Sequence, residues 1–329
     1  MSKTKAAKMP KTLKNVLIKT GIWEKARRFA YRERKVSFGK ENPDKIIYII
    51  RRFPGEAGLF SYILTIIARI DKAIENGWIP VVDMQNYFNS YITEEELGKV
   101  NAWEYYFEQP AGVSLEEAYH SKNVILSDCD LMSNRPRVTK EFVNNKNGVL
   151  DKWRDVTKQY LIFNSTTRKY IEKQYKKLVV DKSERMLGII VRGTDYTTLK
   201  PKGHAIQPDI DVVIEKAKEV MQKYNCNKIF LATEDKHNYD AIIQAFGEEK
   251  VLCNQKQWVN YNGGLINTYY DNTKRERDRY WSGLEYLTTI YILSRCNCII
   301  GGTPGGAGGA MILSEDYEYI YFWFLGCYK

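Results

Sequence analysis

Three short segments in the second half of the chain carry side chains suited to holding a charged ligand. The first is Val191-Arg192-Gly193-Thr194-Asp195-Tyr196, which runs on to Lys200-Pro201-Lys202-Gly203-His204. A guanidinium at a strand end forks onto phosphate oxygens. Gly193 lets the backbone come close to a ligand, Asp195 is a possible base, and His204 a further one. The plain alternative is a βα turn in which Arg192 and Asp195 pair with each other. The second segment, Leu231-Ala232-Thr233-Glu234-Asp235, runs into acids before a helix. Its carboxylates can accept hydrogen bonds from a base or ribose, or Thr233 can simply cap the helix while the acids complement its dipole. The third is the glycine-rich loop 301–309, between a strand and a helix. Backbone N–H groups at such a turn can cradle a diphosphate at a helix N-terminus. Tight helix packing is the other reason for so many glycines.

Other chemistries fit less well. The glycine loop is not closed by Gly-Lys-Ser/Thr, which disfavours a P-loop NTPase, and it follows the wrong strand for a dinucleotide fingerprint. No G-x-S-x-G elbow supports a serine hydrolase. Asp128-Cys129-Asp130 forms a DxD pair, but no His or carboxylate cluster joins it among only three histidines, so no metal is expected. Glu285, one turn inside the helix before the glycine loop, is a candidate for a ribose hydroxyl. In the first half, Gly55-Glu56-Ala57-Gly58-Leu59-Phe60 opens a helix after a strand, and the aromatic, acidic run 101–108 supplies Trp103, Glu104 and Tyr105. Gly55, Phe60, Trp103, Tyr105 and Trp258 are the candidates for a carbohydrate acceptor, and Glu104 is a second candidate base.

These segments need elements to aim them. The runs 45–50, 79–83 and 123–126 read as strands, with a strong helical pattern over 59–75 that stops at Asn76-Gly77. The second half repeats the pattern: strands over 186–191, 228–232, 250–252 and 298–300, helices over 209–224, 238–246 and 280–294, and a last segment over 318–324. This predicts an α/β protein with two Rossmann-like domains, residues 41–165 and 166–329, facing across a cleft. Loops after parallel strands open on one sheet edge.

The chain has 329 residues, 44% of them hydrophobic, enough for two ordinary cores. Its net charge of +10 is local. Residues 1–40 hold thirteen Lys or Arg against Glu24 and Glu33, and the remainder is close to neutral. A basic groove on the folded body is therefore not expected, nor is a nucleic-acid partner. The basic segment also contains Leu13, Val16, Leu17, Ile18, Trp23 and Phe29, and is read as an amphipathic helical arm for an anionic membrane surface, with a helix docked on the body or a disordered tail as the alternatives. No run of about 18 apolar residues and no signal-like stretch occurs. The six cysteines lack disulfide-like spacing. The expectation is a cytoplasmic protein, held peripherally at the inner face of the plasma membrane.

The order of VRGTDY, LATED and the C-terminal glycine loop resembles the fucosyltransferase superfamily, which includes the α-1,6-fucosyltransferases and the protein O-fucosyltransferases. The GEAGLFSY loop is similar to the first glycine-rich loop of those enzymes, and the similarity runs in order over residues 45–325. The sequence departs from the family at Ile190, where the motif has His, and at Gly193, where it has a second Arg. The resemblance implies a GT-B architecture and metal-independent, inverting transfer from GDP-fucose, with no cofactor. By motif match it implies that Arg192 holds the β-phosphate, that Glu234 or Asp235 reads the nucleoside, and that Thr303, Gly305 and Gly306 bind the diphosphate. A glycan or lipid-linked acceptor in cell-surface polysaccharide synthesis is expected. A non-catalytic sugar-nucleotide or glycan-binding protein and an RNA-binding protein acting through the arm are the alternatives.

Overall fold

The computed structural model describes residues 22–179, 181, 183–254, 258 and 275–329. Strand β2 (Ile47–Ile50) is apolar on both faces and wholly buried, so it takes an interior position in the first sheet. β3 (Ile79–Val82) and β4 (Val124–Leu126) pair with it in parallel, and β1 (Arg34–Val36) closes the edge antiparallel to β4. The strand order is β1-β4-β2-β3. The basic arm therefore ends earlier than residue 40: segment 34–36 belongs to the sheet, because the exposed edge of β4 offers backbone partners that a free arm lacks. Upstream of it, helix α1 (Ile22–Ala30) rests on the body, with Arg27 3.9 Å over the Phe53 ring and Phe29 67% exposed. The rest of the arm, residues 1–21, lies outside the described residues.

Helix α2 (Leu59–Glu75) joins β2 to β3 and ends where Gly77 adopts φ +69°. It is buried on nearly every side, including Thr65, Arg69 and Asp71, because it lies between the first sheet and helices from later in the chain. Short helices α3 (Leu115–Ala118) and α4 (Lys140–Val143) follow, then α5 (Val149–Tyr160) and α6 (Ser165–Leu178).

The second sheet is fully parallel, with order β7-β6-β5-β8-β9. Its strands are β5 (Met186–Ile190), β6 (Lys228–Ala232), β7 (Val251–Cys253), β8 (Cys298–Gly301) and β9 (Tyr319–Phe322). Helices α7 (Thr194–Leu199) and α8 (Ile210–Lys223) cross from β5 to β6, α9 (Lys236–Phe246) from β6 to β7, and α10 (Asp278–Leu293) lies between β7 and β8 in the chain. Helix α11 (Gly305–Leu313) carries the chain from β8 to β9. Strand order reverses between β5 and β8, so the loops after these two strands meet at a topological switch point.

The two sheets share one apolar core built from α2, α5, α10 and α11. The glycines of α11 make the closeness possible. A side-chain carbon at Gly309 would overlap the Phe60 ring, one at Gly308 would touch Leu64, and one at Gly306 would crowd Tyr286 and Ile290. Arg154 of α5 closes the far end, donating to Met311 O at 3.3 Å and Ser314 Oγ at 2.9 Å. Tyr106 Oη donates to Tyr280 O at 2.9 Å, tying the first half to α10. All six cysteines are free thiols, Cys226 and Cys298 lying 3.9 Å apart. Among the described residues no helix is long and apolar enough to cross a membrane.

Candidate active site

The switch point collects most of the second-half candidates. Beyond β5, the Arg192 backbone N–H donates to Gln207 Oε1 at 3.2 Å. The Arg192 side chain, 21% exposed, donates from Nη2 to Asp195 Oδ1 at 3.0 Å, and its Nε lies 3.0 Å from Glu234 Oε2. That Nε is buried and makes no hydrogen bond. The guanidinium also sits 4.6 Å over the Tyr196 ring. Burial works against its charge, but Glu234, Tyr196 and Asp195 outweigh that and hold Arg192 above the ordinary guanidinium range.

The acids reach across from β6. Glu234 Oε1 accepts from Gly193 N–H at 3.0 Å and from Thr194 Oγ1 at 3.2 Å. Asp235 Oδ2 accepts from Thr194 N–H at 2.7 Å, while its Oδ1 caps α9 through the N–H groups of His237 and Asn238. Gly193 is required here, since any side-chain carbon would overlap the Asp235 carboxylate. Thr194 is held at φ +37°, a backbone state that costs a β-branched residue about 1–3 kcal/mol and persists where neighbours enforce it. The helix cap is thus Asp235 rather than Thr233, because only the Asp235 carboxylate reaches both first-turn donors; Thr233 Oγ1 instead accepts from Asp235 N–H at 3.2 Å. With both Asp235 oxygens engaged, Asp235 is a brace for the loop. Asp195 is 2% exposed and lies within the same network.

The glycine loop approaches from β8. Gly302 N–H donates to Ile190 O at 3.0 Å. Helix α11 begins at an exposed Gly305 with no side-chain cap and no acid in its first turn, so the positive end of its dipole is left uncompensated there. Thr303 sits half-buried two residues before it. The packing role expected as the alternative also holds, for Gly306, Gly308 and Gly309. Tyr286 Oη comes so close to Gly306 that a side chain there could not fit, and burial pushes the Tyr286 hydroxyl up to about 12, with Arg192 pulling the other way.

Several expectations need correction. Glu285 is bound to Arg275 at 2.8 Å rather than poised for a ribose, because the helical turn of 100° per residue sends its neighbour Tyr286 to the site instead. Phe60 and Trp103 are each 1% exposed and packed in the core, so neither presents a face to a sugar. Trp103 Nε1 is taken by Glu108 O at 2.9 Å. Glu104 Oε1 accepts from Asn101 at 3.0 Å and Gln109 at 2.8 Å, two amides that also hold Val82 on edge strand β3; it is a clamp on the first sheet. Trp258 packs on Tyr239 of α9, ring centres 4.9 Å apart, and the surrounding 259–264 segment lies outside the described residues. Tyr105 donates to Glu96 at 3.0 Å, and burial together with Glu96 pushes its hydroxyl up to about 12. His204 lies edge-on to Tyr196 at 5.2 Å in a loop paired with the C-terminal segment through Ala205 and Cys327. Gly55, with φ +151°, has open space beside it. The Asp128 carboxylate of the DxD pair is forked by Arg69 at 2.5 and 3.2 Å.

Gln207 and Tyr286 are site residues that sequence reasoning missed, and Asn254 is a further buried polar residue it did not single out. Asn254 follows β7, is 1% exposed, and leaves its Oδ1 without a partner. The only sequence signal for Tyr286 was its place next to Glu285 in a core-spaced helix.

No protein-family model and no curated protein sequence matches the chain. It is similar to solved structures of fucosyltransferases. One is the NodZ alpha-1,6-fucosyltransferase soaked with GDP-fucose, 15% identical over 82% of this chain and 93% of that one, TM-score 0.47. A second is fucosyltransferase NodZ from Bradyrhizobium, 15% identical over 78% and 88%, TM-score 0.44. A third is POFUT1 in its apo form, 11% identical over 85% and 98%, TM-score 0.47.

Proposed function

We propose that the chain is an inverting glycosyltransferase that moves a sugar, fucose in the first instance, from a GDP-sugar to a glycan or lipid-linked acceptor. One observation carries the reading: Arg192, in the loop after β5, and the uncapped first turn of α11 flank the same side chain, Tyr286, at the strand-order reversal of a parallel sheet. That is where open α/β sheets take ligands, and both groups favour the charge that builds on a departing diphosphate. The motif resemblance supplies GDP-fucose as the donor. Arg192 would contact the β-phosphate, and Gly305 and Gly306 would donate to the diphosphate, with Thr303 beside them. The Gly193 and Thr194 N–H groups serve Glu234 and Asp235, so the diphosphate would gain from the Arg192 side chain and α11 rather than from the backbone after Arg192. Asp195, beside Arg192, is the base candidate that lies within the site.

The wider reading assigns residues 41–165 to the acceptor, 166–329 to the donor, and the segment before β1 to an anionic membrane surface on the cytoplasmic side, in cell-surface polysaccharide synthesis. The test is calorimetry of GDP, UDP, CMP, GDP-fucose and GDP-mannose against the full chain and Arg192→Ala, with EDTA present. Selective GDP binding that falls in the variant is expected. UDP or CMP selectivity would discard the fucose donor, and no binding at all would end the transferase reading.

A further inference from the structure

The loops of the first sheet bring a second set of arginines to the start of α11. Arg52, in the β2–α2 loop, is half-buried, donates from Nη1 to Ser61 Oγ at 3.3 Å, and lies 4.4 Å over the Tyr62 ring. Ser61 borders the α11 N-terminus, since its backbone nitrogen lies 3.9 Å from where a side-chain carbon at Gly305 would stand. Arg135 and Arg137 flank Pro136, whose carbonyl oxygen lies 3.9 Å from the corresponding position at Gly308 on the same helix. Arg135 is half-buried and spends Nη1 on Met132 O at 3.0 Å; Arg137 is exposed.

Among the described residues no carboxylate forms an ion pair with any of these three, whereas Arg69, Arg192, Arg275 and Arg295 each have one. Burial, with Arg137 and Arg52 adding repulsion, pulls Arg135 down to about 10, and burial lowers Arg52 as well. Both helices that start here, α2 at Gly58 and α11 at Pro304, lack a side-chain cap and an acid in the first turn. Three guanidiniums with no ion-pair partner beside two uncapped helix starts leave a concentrated positive charge that an anion would relieve.

We propose that Arg52, Arg135 and Arg137 bind a phosphate carried by the acceptor, so that the acceptor is a phosphorylated glycan or one joined to its lipid through phosphate. This rests on the glycosyltransferase reading for the word acceptor, but the anion site stands on its own residues. The donor diphosphate meets Arg192 from the second sheet, and the acceptor phosphate meets the arginine trio from the first.

The experiment titrates inorganic pyrophosphate into the full chain, with and without saturating GDP, for wild type, Arg135→Gln/Arg137→Gln and the exposed Arg137→Glu. The expected result is pyrophosphate binding that survives GDP saturation, weakens tenfold or more in the double variant and at least severalfold in Arg137→Glu, with GDP affinity unchanged in both. Unchanged pyrophosphate binding in the variants overturns the proposal. Loss of all pyrophosphate binding at saturating GDP also overturns it, by placing the arginines in the donor site. If GDP fails to bind wild type, the transferase reading falls, while a variant-sensitive pyrophosphate response still upholds the anion site. The source of the phosphate is separated by two further probes, a soluble hexose 6-phosphate and dispersed short-chain phosphatidylglycerol. Loss of only the hexose phosphate in the double variant assigns a phosphorylated glycan, and loss of only the lipid phosphate assigns a lipid-linked one. Loss of neither overturns the proposal.

Discussion

Arg192 combines two roles that different substitutions separate. Its charge balances Glu234 and Asp195, and its fork supplies directed donors. Arg192→Lys keeps the first role and loses the second, so we expect it to fold while GDP binding weakens by about 1.5–3 kcal/mol, roughly 10- to 150-fold, in the same calorimetric assay. Arg192→Ala also leaves the buried Asp195 and largely buried Glu234 carboxylates without their shared cation, and its melting temperature should fall below that of the Lys variant. Asp128 gives a contrasting case. Burial opposes its charge, but Arg69, itself wholly buried, holds the carboxyl below the ordinary 3.8. A carboxylate held below its unfolded value stabilises the fold above that value, and the gain disappears as pH falls through the lower folded value. Asp128→Asn strands the Arg69 charge. Breaking such a buried pair costs about 3–5 kcal/mol, and we expect the lower end because Asp128 is 35% exposed. In denaturant titrations the gap between wild type and Asp128→Asn should be full at neutral pH and narrow below about pH 4; a gap constant down to pH 2 would contradict the assignment.

Helix α11 shows how one element serves both packing and binding. Its glycines are not equivalent. Gly309 faces the Phe60 ring with no space for a side chain, while Gly305 is exposed with Phe60 in ordinary contact at 3.7 Å. Gly309→Ala should therefore destabilise the chain by about 1–3 kcal/mol through overpacking. Gly305→Ala should leave the melting temperature unchanged or slightly higher, because alanine narrows the unfolded ensemble. Equal melting temperatures for the two variants would mean that α11 does not sit against α2 as described. The neighbouring helix α10 carries the lesson of register. Core spacing in the sequence located the helix to within a couple of residues, but a one-residue step decided whether Glu285 or Tyr286 reaches Arg192.

At the scale of the whole molecule, the shared helical core makes the first strand an outlying but integral part. Deleting residues 1–21 should leave the melting temperature unchanged and abolish sedimentation with anionic vesicles, as the membrane reading requires. Deleting 1–40 removes β1 and also Glu33, which accepts from Tyr48 at 3.0 Å and Lys72 at 2.7 Å; this should lower the melting temperature and expose the edge of β4. Vesicle binding that survives the shorter deletion would move the membrane contact onto the body.

Apart from edge strand β1, read as part of the basic arm, the strands and the long helices that begin or follow them were legible in the chain itself, because their hydrophobic period is a local property: the helix over 59–75 and the strand over 228–232 occur with those bounds. The three second-half loops were legible for the same reason, since a parallel sheet must open its βα loops on one edge. Tertiary structure alone decided what each side chain does there. Trp103 and Phe60 look like sugar platforms in a string of letters, yet the shared core buries them. Asp235 looks like a reading group until both its oxygens are counted against the donors that already claim them, and Glu104 like a base until its Oε1 is found clamping Asn101 and Gln109. Arg52 and Arg135 stand 83 positions apart and meet only because α2, α11 and the segment through Pro136 pack together. Local pattern determines which elements form; which polar atoms remain unclaimed depends on contacts between residues far apart in the chain, and no periodicity records those.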